Sequence, residues 1–222
     1  MEASSWLQRY YDGRYTYFNW RYRTGVLYKV MLAMVMAGVT GLVAQIHITL
    51  PWTPVPITGQ TFAVLLAGVL LGRWYGGLSQ VFYAGLGAGG VHWFAGWSGG
   101  WGVFTGATGG FIVGFIFAAF FIGYVTDSFV RTRSFVFMLA LMLFANFVII
   151  HGLGLWQLNR FLTAIGHPPA NFSKLLWLGT VPFILGDITK AVAAALVVKA
   201  VTPKVAYSRE KDAQSWQRWP LP

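Results

Sequence analysis

The sequence has no cysteine and very little charge: six acidic and 16 basic residues among 222, for a net +10. Without cysteine there is no disulfide framework, no thiolate metal site and no thiol nucleophile. An ordinary soluble domain carries about a quarter charged residues. Here the share is 10%, while 56% of residues are hydrophobic, which excludes a disordered chain. A nucleic-acid binder is basic too, but it does not carry long uncharged apolar runs. Enzymatic signatures are also missing. There is no His-Glu-x-x-His, no Gly-x-Ser-x-Gly and no pair of acids, and His47, His92, His151 and His167 are scattered without ligand spacing. Gly106-Ala107-Thr108-Gly109-Gly110 has no lysine and is not a P-loop, so the chain is read as no enzyme, with no metal and no cofactor. A membrane protein remains.

About 20 apolar residues cross a bilayer as a helix. Val26 to Ile46 is one such run; Thr105 to Thr126, Ser134 to Leu155 and Trp177 to Val201 are others. Thr61 to Gly87 is too long for one span, and it reads as two short tilted helices meeting at Gly72 to Gly77. The expectation is an all-α integral membrane protein, a single bundle of six transmembrane helices over 26–201. Tails at 1–25 and 202–222 flank it. With the N-terminus inside, 13 of the 16 basic residues, including Arg9, Arg73, Arg131, Arg133 and Arg218, fall on cytoplasmic segments. Both termini are therefore expected in the cytoplasm, in contact with anionic membrane lipid and not with nucleic acid.

Two outer segments look like more than connectors. In 48–60, Pro51, Pro54 and Pro56 impose a stiff extended path. In 88–104, six glycines alternate with His92, Trp93, Phe94, Trp97 and Trp101. Aromatic residues alone would suit an interfacial belt, whereas the glycines suit close backbone approach, and together the segments read as a lid over a small ligand. Under it lies Asp187, the only acid in the hydrophobic part, with Lys190 on the same helix face. If Thr180-Val181-Pro182 starts that helix, Asp187 sits under about 15 Å below its outer end. The two charges either neutralise each other structurally or offer an acceptor and a donor to a neutral or zwitterionic ligand. Asn146, Tyr83, Gln80 and Ser79 are further buried polar candidates, each also explained by interhelical hydrogen bonding. Ala33, Ala37 and Gly41 form a stripe of small residues, suited either to packing in the bundle or to a partner membrane protein.

Pro54-Val55-Pro56-Ile57-Thr58-Gly59-Gln60-Thr61-Phe62, Tyr83 with Gly85-Leu86-Gly87-Ala88-Gly89-Gly90, Phe94-Ala95-Gly96-Trp97-Ser98-Gly99-Gly100 and Gly186-Asp187-Ile188-Thr189-Lys190 resemble, in that order, the BioY family. Those are biotin-binding S components of energy-coupling factor (ECF) transporters in prokaryotic cell membranes. The resemblance implies biotin as transported ligand. Its binding residues would be Asp187, Lys190, Asn146, Tyr83, Gln60, Trp93, Trp97 and Ser98. It also implies an ECF transmembrane coupling protein, met at Ala33, Ala37 and Gly41, and two cytoplasmic ATPases as partners. Some relatives carry a basic residue near Ser98, so here Ser98, backbone N–H groups or Lys190 would receive the biotin carboxylate. An S component for another small vitamin shares the pattern, and a membrane-embedded enzyme is the reading from a different class.

Overall fold

A computed structural model describes residues 2–207 and 209–216; Arg218, one of the basic residues counted above, lies outside them. The described chain is almost wholly helical. Helix α1 (Glu2–Arg23) is followed by α2 (Val26–Val43), α3 (Gln60–Ala88), a short α4 (Trp101–Thr105) and α5 (Gly109–Ser128). Then come α6 (Phe135–Phe144), α7 (His151–Ala164), α8 (Phe172–Gly179) and α9 (Ile184–Val201). A π-wound turn, Ala145–Ile150, joins α6 to α7, and a 3-10 turn, Val181–Phe183, joins α8 to α9. Among the described residues, five helical stretches are long and apolar enough to cross a membrane: Val26–Val43, Gln60–Ala88, Gly109–Ser128, Phe135–Ala164 and Phe172–Val201. This is an all-α integral membrane protein.

Several boundaries differ from the sequence reading. The run expected from Thr105 is broken between α4, which ends at Thr105, and α5, which begins at Gly109, because Gly106 to Thr108 form a turn. The run expected to stop at Leu155 continues to Ala164, and the last begins at Phe172, five residues before Trp177. Thr180 to Phe183 is a break inside it and not its start. Pro182, lacking an N–H, falls where the helix is rewound.

The long α3 is not a single rod. Gly72 has φ 78 and ψ 178, a backbone conformation that side chains with a Cβ rarely adopt. The chain doubles back there. Gln60 donates to the Tyr83 hydroxyl, although 23 residues of straight helix would separate them by about 35 Å. Gly76 lies against the Ala67 carbonyl, confirming the antiparallel hairpin.

Helix α3 packs most extensively on α5. At Gly68 a Cβ would come within 2.5 Å of the Ala119 carbonyl oxygen, so the two backbones meet where no side chain intervenes. In lipid, such close approach replaces the hydrophobic force that drives soluble cores together. The small-residue stripe on α2 is used the same way. Ala33 and Ala37 are 0% exposed and Thr40 receives a hydrogen bond from Gln80 on α3. Gly41 is covered by Trp93, which a Cβ would approach to 2.9 Å. The stripe is interior packing and not an open docking face; the outward face of α2 carries Leu27, Met31, Val35 and Leu42. Ala37→Leu should therefore overpack the bundle and cost about 1–3 kcal/mol. Thermal unfolding in detergent reads this directly, and unchanged stability would mean that Ala37 faces outward.

Both tails are docked at one end of the bundle, beside the α3 reversal. Helix α1 lies across the end of α9, where Tyr10 and Arg14 donate to the carbonyls of Ala200 and Thr202. Farther along, Arg21 pairs with Asp127 at 2.8 Å and donates to the Val69 carbonyl and the Tyr207 hydroxyl. Asp127 thus partners the N-terminal helix and not the nearby Arg131 and Arg133. Glu210 and Asp212, tail acids in the sequence, are also engaged. Arg133 pairs with Glu210 at 2.7 Å with both side chains buried, and Asp212 accepts from the backbone N–H groups of Val130 and Arg131. Burial pushes the Glu210 carboxyl up, but its hydrogen bonds from Arg133 and the Tyr207 N–H outweigh that and hold it below the usual range.

Candidate functional site

At the opposite end, the reversal of α3 brings Gln60, a short antiparallel pair of strands, β1 (His47–Ile48) and β2 (Ile57–Thr58), and the turns after α2 and α3 together over the buried ends of α5, α7 and α9. A cavity of about 230 Å³ lies between them. Its walls are mostly apolar: Val55, Pro56, Phe94, Val103, Phe111, Ile112, Phe115, Ile150 and Phe183. The polar groups are few and convergent, namely Thr58, Gln60, Thr61, Ser98, Thr108, His151, Asp187 and Lys190. This is the usual chemistry of a small-molecule site.

Asp187 is buried and bonded from three sides. Lys190 Nζ lies 2.5 Å from Oδ1; Asn146 Nδ2 donates to Oδ2 at 2.9 Å, and His151 Nε2 lies 2.8 Å from the same oxygen. An ionised carboxylate only accepts, so Nε2 carries its proton there. Lys190 also donates to the Thr58 carbonyl at 2.8 Å. A carboxylate has about four lone-pair sites and an ammonium three donors. Three of the first and two of the second are occupied, which leaves one acceptor and one donor on groups that line the cavity.

His151 escaped the sequence reading, and the backbone explains why. In an α-helix, residues 146 and 151 point about 140° apart. The π-wound turn between them, with its i→i+5 period, brings both onto one face, so both reach the same carboxylate oxygen. His151 is held from behind, with Nδ1 2.9 Å from the Gly179 carbonyl and 3.1 Å from Thr180 Oγ1.

The other expected residues separate by depth. Gln60 and Ser98 line the cavity with Asp187 and Lys190. Asn146 stands behind Asp187, and its Oδ1 has no hydrogen-bond partner. Tyr83 is fully buried behind Gln60, its ring 5.3 Å from Phe94 and 5.5 Å from Trp93. Trp93 donates from its indole to the Tyr83 carbonyl and so supports the wall without forming it. Trp97 points outward and is 61% exposed. It belongs to a turn whose tie to α2 the sequence did not reveal: Gln45, just past the end of α2, donates to the carbonyls of Trp93 and Phe94 and accepts from the Trp97 N–H. Gln45 thereby ties the turn carrying Phe94 and Ser98 to the first apolar helix.

The profile of the BioY family matches residues 17–207. The probable biotin transporter BioY of Methanothermobacter thermautotrophicus is 46% identical over 162 residues, 71% of this chain and 100% of that protein. The biotin transporter BioY of Thermotoga maritima is 38% identical over 169 residues, 75% of this chain and 94% of that protein. In fold, the chain is similar to the crystal structure of the S-component for biotin from an ECF-type ABC transporter. That match has a TM-score of 0.68 and 24% identity, covering 78% of this chain and 89% of the other. A profile match that runs through every apolar helix and the Asp187 site, joined by relatives aligned over nearly all of their own length, means that the chain belongs to the BioY family.

Proposed function

We propose that this protein is the biotin-capturing subunit of an uptake transporter of the ECF type. The observation that carries this is the spare acceptor on Asp187 beside the spare donor on Lys190, inside a cavity otherwise walled by apolar side chains. A cyclic urea offers the complement, an N–H to the carboxylate and a carbonyl to the ammonium. The Phe111, Phe115 and Phe183 side supports a neutral ring and an aliphatic chain. Because the ion pair is neutral as a unit, the ligand's urea needs no charge of its own. Ser98, at the mouth, is the group proposed for the biotin carboxylate, and Asn146, Tyr83, Trp93 and Trp97 act as supports around it.

The names of the relatives support biotin as solute, and the fold supports the S-component role. In this reading the two arms of α3 cross separately, for six crossings in all. The end carrying both tails and most of the basic residues faces the cytoplasm. Segments 48–60 and 88–104 close the outer side as a lid. Transport energy comes from a transmembrane coupling protein and two ATPases, since the chain has no P-loop lysine of its own.

The test is equilibrium binding of labelled biotin to the purified protein in detergent, with thiamine and riboflavin as competitors. Binding that unlabelled biotin alone displaces is the expected result. A folded, monodisperse protein that binds no biotin would overturn the proposal.

A further inference from the structure

A second cavity, of about 460 Å³, opens at the end of the bundle away from Asp187, between the α3 reversal, the end of α5 and both docked tails. Five cations line it, Arg21, Lys29, Arg73, Arg209 and Lys211, with Asp127 as the one acid. That acid is already committed: Arg21 takes Oδ1 at 2.8 Å and the Arg73 backbone N–H takes Oδ2 at 3.0 Å. Among the described residues, no carboxylate lies within ion-pair distance of Lys29, Arg73, Arg209 or Lys211. Their company is aromatic instead. The Arg73 guanidinium sits 5.4 Å from the Trp74 ring and 5.8 Å from the Tyr124 ring, and the Lys29 ammonium sits 5.7 Å from Tyr75. Lys29 spends one donor on the Tyr22 carbonyl at 3.0 Å, and the rings leave its remaining N–H groups and those of the Arg73 guanidinium to donate.

Four cations around one concavity cannot all be served by a single carboxylate. A phosphate group, with its charge spread over several oxygens, can bridge two or more of them. The position favours a membrane source for that phosphate. The cavity begins where the apolar helices end, and Tyr22, Trp74 and Tyr124 on its rim are exposed, as aromatic residues are at the headgroup level of a bilayer. Basic pockets at helix ends on the membrane surface hold acidic headgroups in this way. We propose that this cavity binds a phosphate-bearing anion, supplied as the headgroup of an acidic phospholipid. The site docks the N-terminal helix, the C-terminal segment and the α3 reversal around one lipid. It is independent of what the Asp187 cavity binds.

The experiment is native mass spectrometry of the full chain released from detergent doped with phosphatidylglycerol or phosphatidylcholine. Thermal unfolding is followed in parallel with inorganic phosphate and glycerol 3-phosphate as soluble probes. The wild type is expected to retain phosphatidylglycerol selectively, and Arg73→Gln/Lys211→Gln to weaken that retention about tenfold or more. If that pair fails to fold, Lys29→Gln/Arg209→Gln removes the other two cations and is expected to have the same effect. Stabilisation by the soluble phosphates, lost in the same variants, would support the anion site and reassign its source. Equal retention of both lipids with no response to soluble phosphate, or phosphatidylglycerol retention unaffected in a folded variant, would overturn the proposal.

Discussion

Asp187→Asn is expected to weaken biotin binding by about 10- to 100-fold, the equivalent of one charge-assisted hydrogen bond of roughly 1.5–3 kcal/mol. The substitution keeps the shape but removes the charge that Lys190, His151 and Asn146 converge upon. It also leaves the Lys190 ammonium without its counter-ion. Breaking a buried pair from one side costs about 3–5 kcal/mol, so part of the damage falls on stability. The double variant Asp187→Asn/Lys190→Met separates the two effects. Removing both charges from a buried pair is often neutral for folding, so thermal stability should return toward wild type. Binding should not return, because neither the spare acceptor nor the spare donor is left. Recovery of affinity together with stability would show that the pair only holds the bundle together.

Gln45→Ala is expected to speed biotin release by about tenfold or more while leaving association nearly unchanged. In the 93–97 turn Trp97 is held at φ 53, in the left-handed region that residues with a Cβ rarely adopt. Such a conformation costs about 1–3 kcal/mol and persists only when the surroundings fix it. Gln45 divides its two N–H donors among the Gly41, Trp93 and Phe94 carbonyls and accepts from the Trp97 N–H, each full bond being worth about 0.5–1.5 kcal/mol. Without them Phe94 and Ser98 are free to lift off the cavity, and changes of this kind fall mainly on the dissociation rate. Stopped-flow dissociation against excess unlabelled biotin measures it. An unchanged rate would mean that the turn does not gate the site.

The parts of this protein that composition determines could be read from the sequence. Long uncharged runs mark the apolar helices, and Gly72 marks the reversal within a run too long for one crossing. Asp187 stands out because an acid in such a run is costly unless paired. What could not be read depends on winding and facing. His151 joins Asp187 only through the π-wound turn, and α-helical periodicity points it elsewhere. The stripe at Ala33, Ala37 and Gly41 announces a close neighbour without saying which one; α3 and Trp93 proved to be that neighbour. Tail acids such as Glu210 and Asp212 carry no local signal for the Arg133 guanidinium and the Val130 N–H that they reach across 77 and 82 positions of chain. Gln45 looks like an ordinary polar residue at a helix end, and its importance lies entirely in what folds over it.

The central claim is that Asp187 and Lys190 read the urea of biotin. The most direct measurement is a structure of the protein crystallised with biotin. The expected result places the ureido oxygen within about 2.7–3.2 Å of Lys190 Nζ and one ureido nitrogen at the same range from the Asp187 carboxylate. Biotin bound with its ureido ring turned away from this pair, or held outside this cavity, would contradict the account.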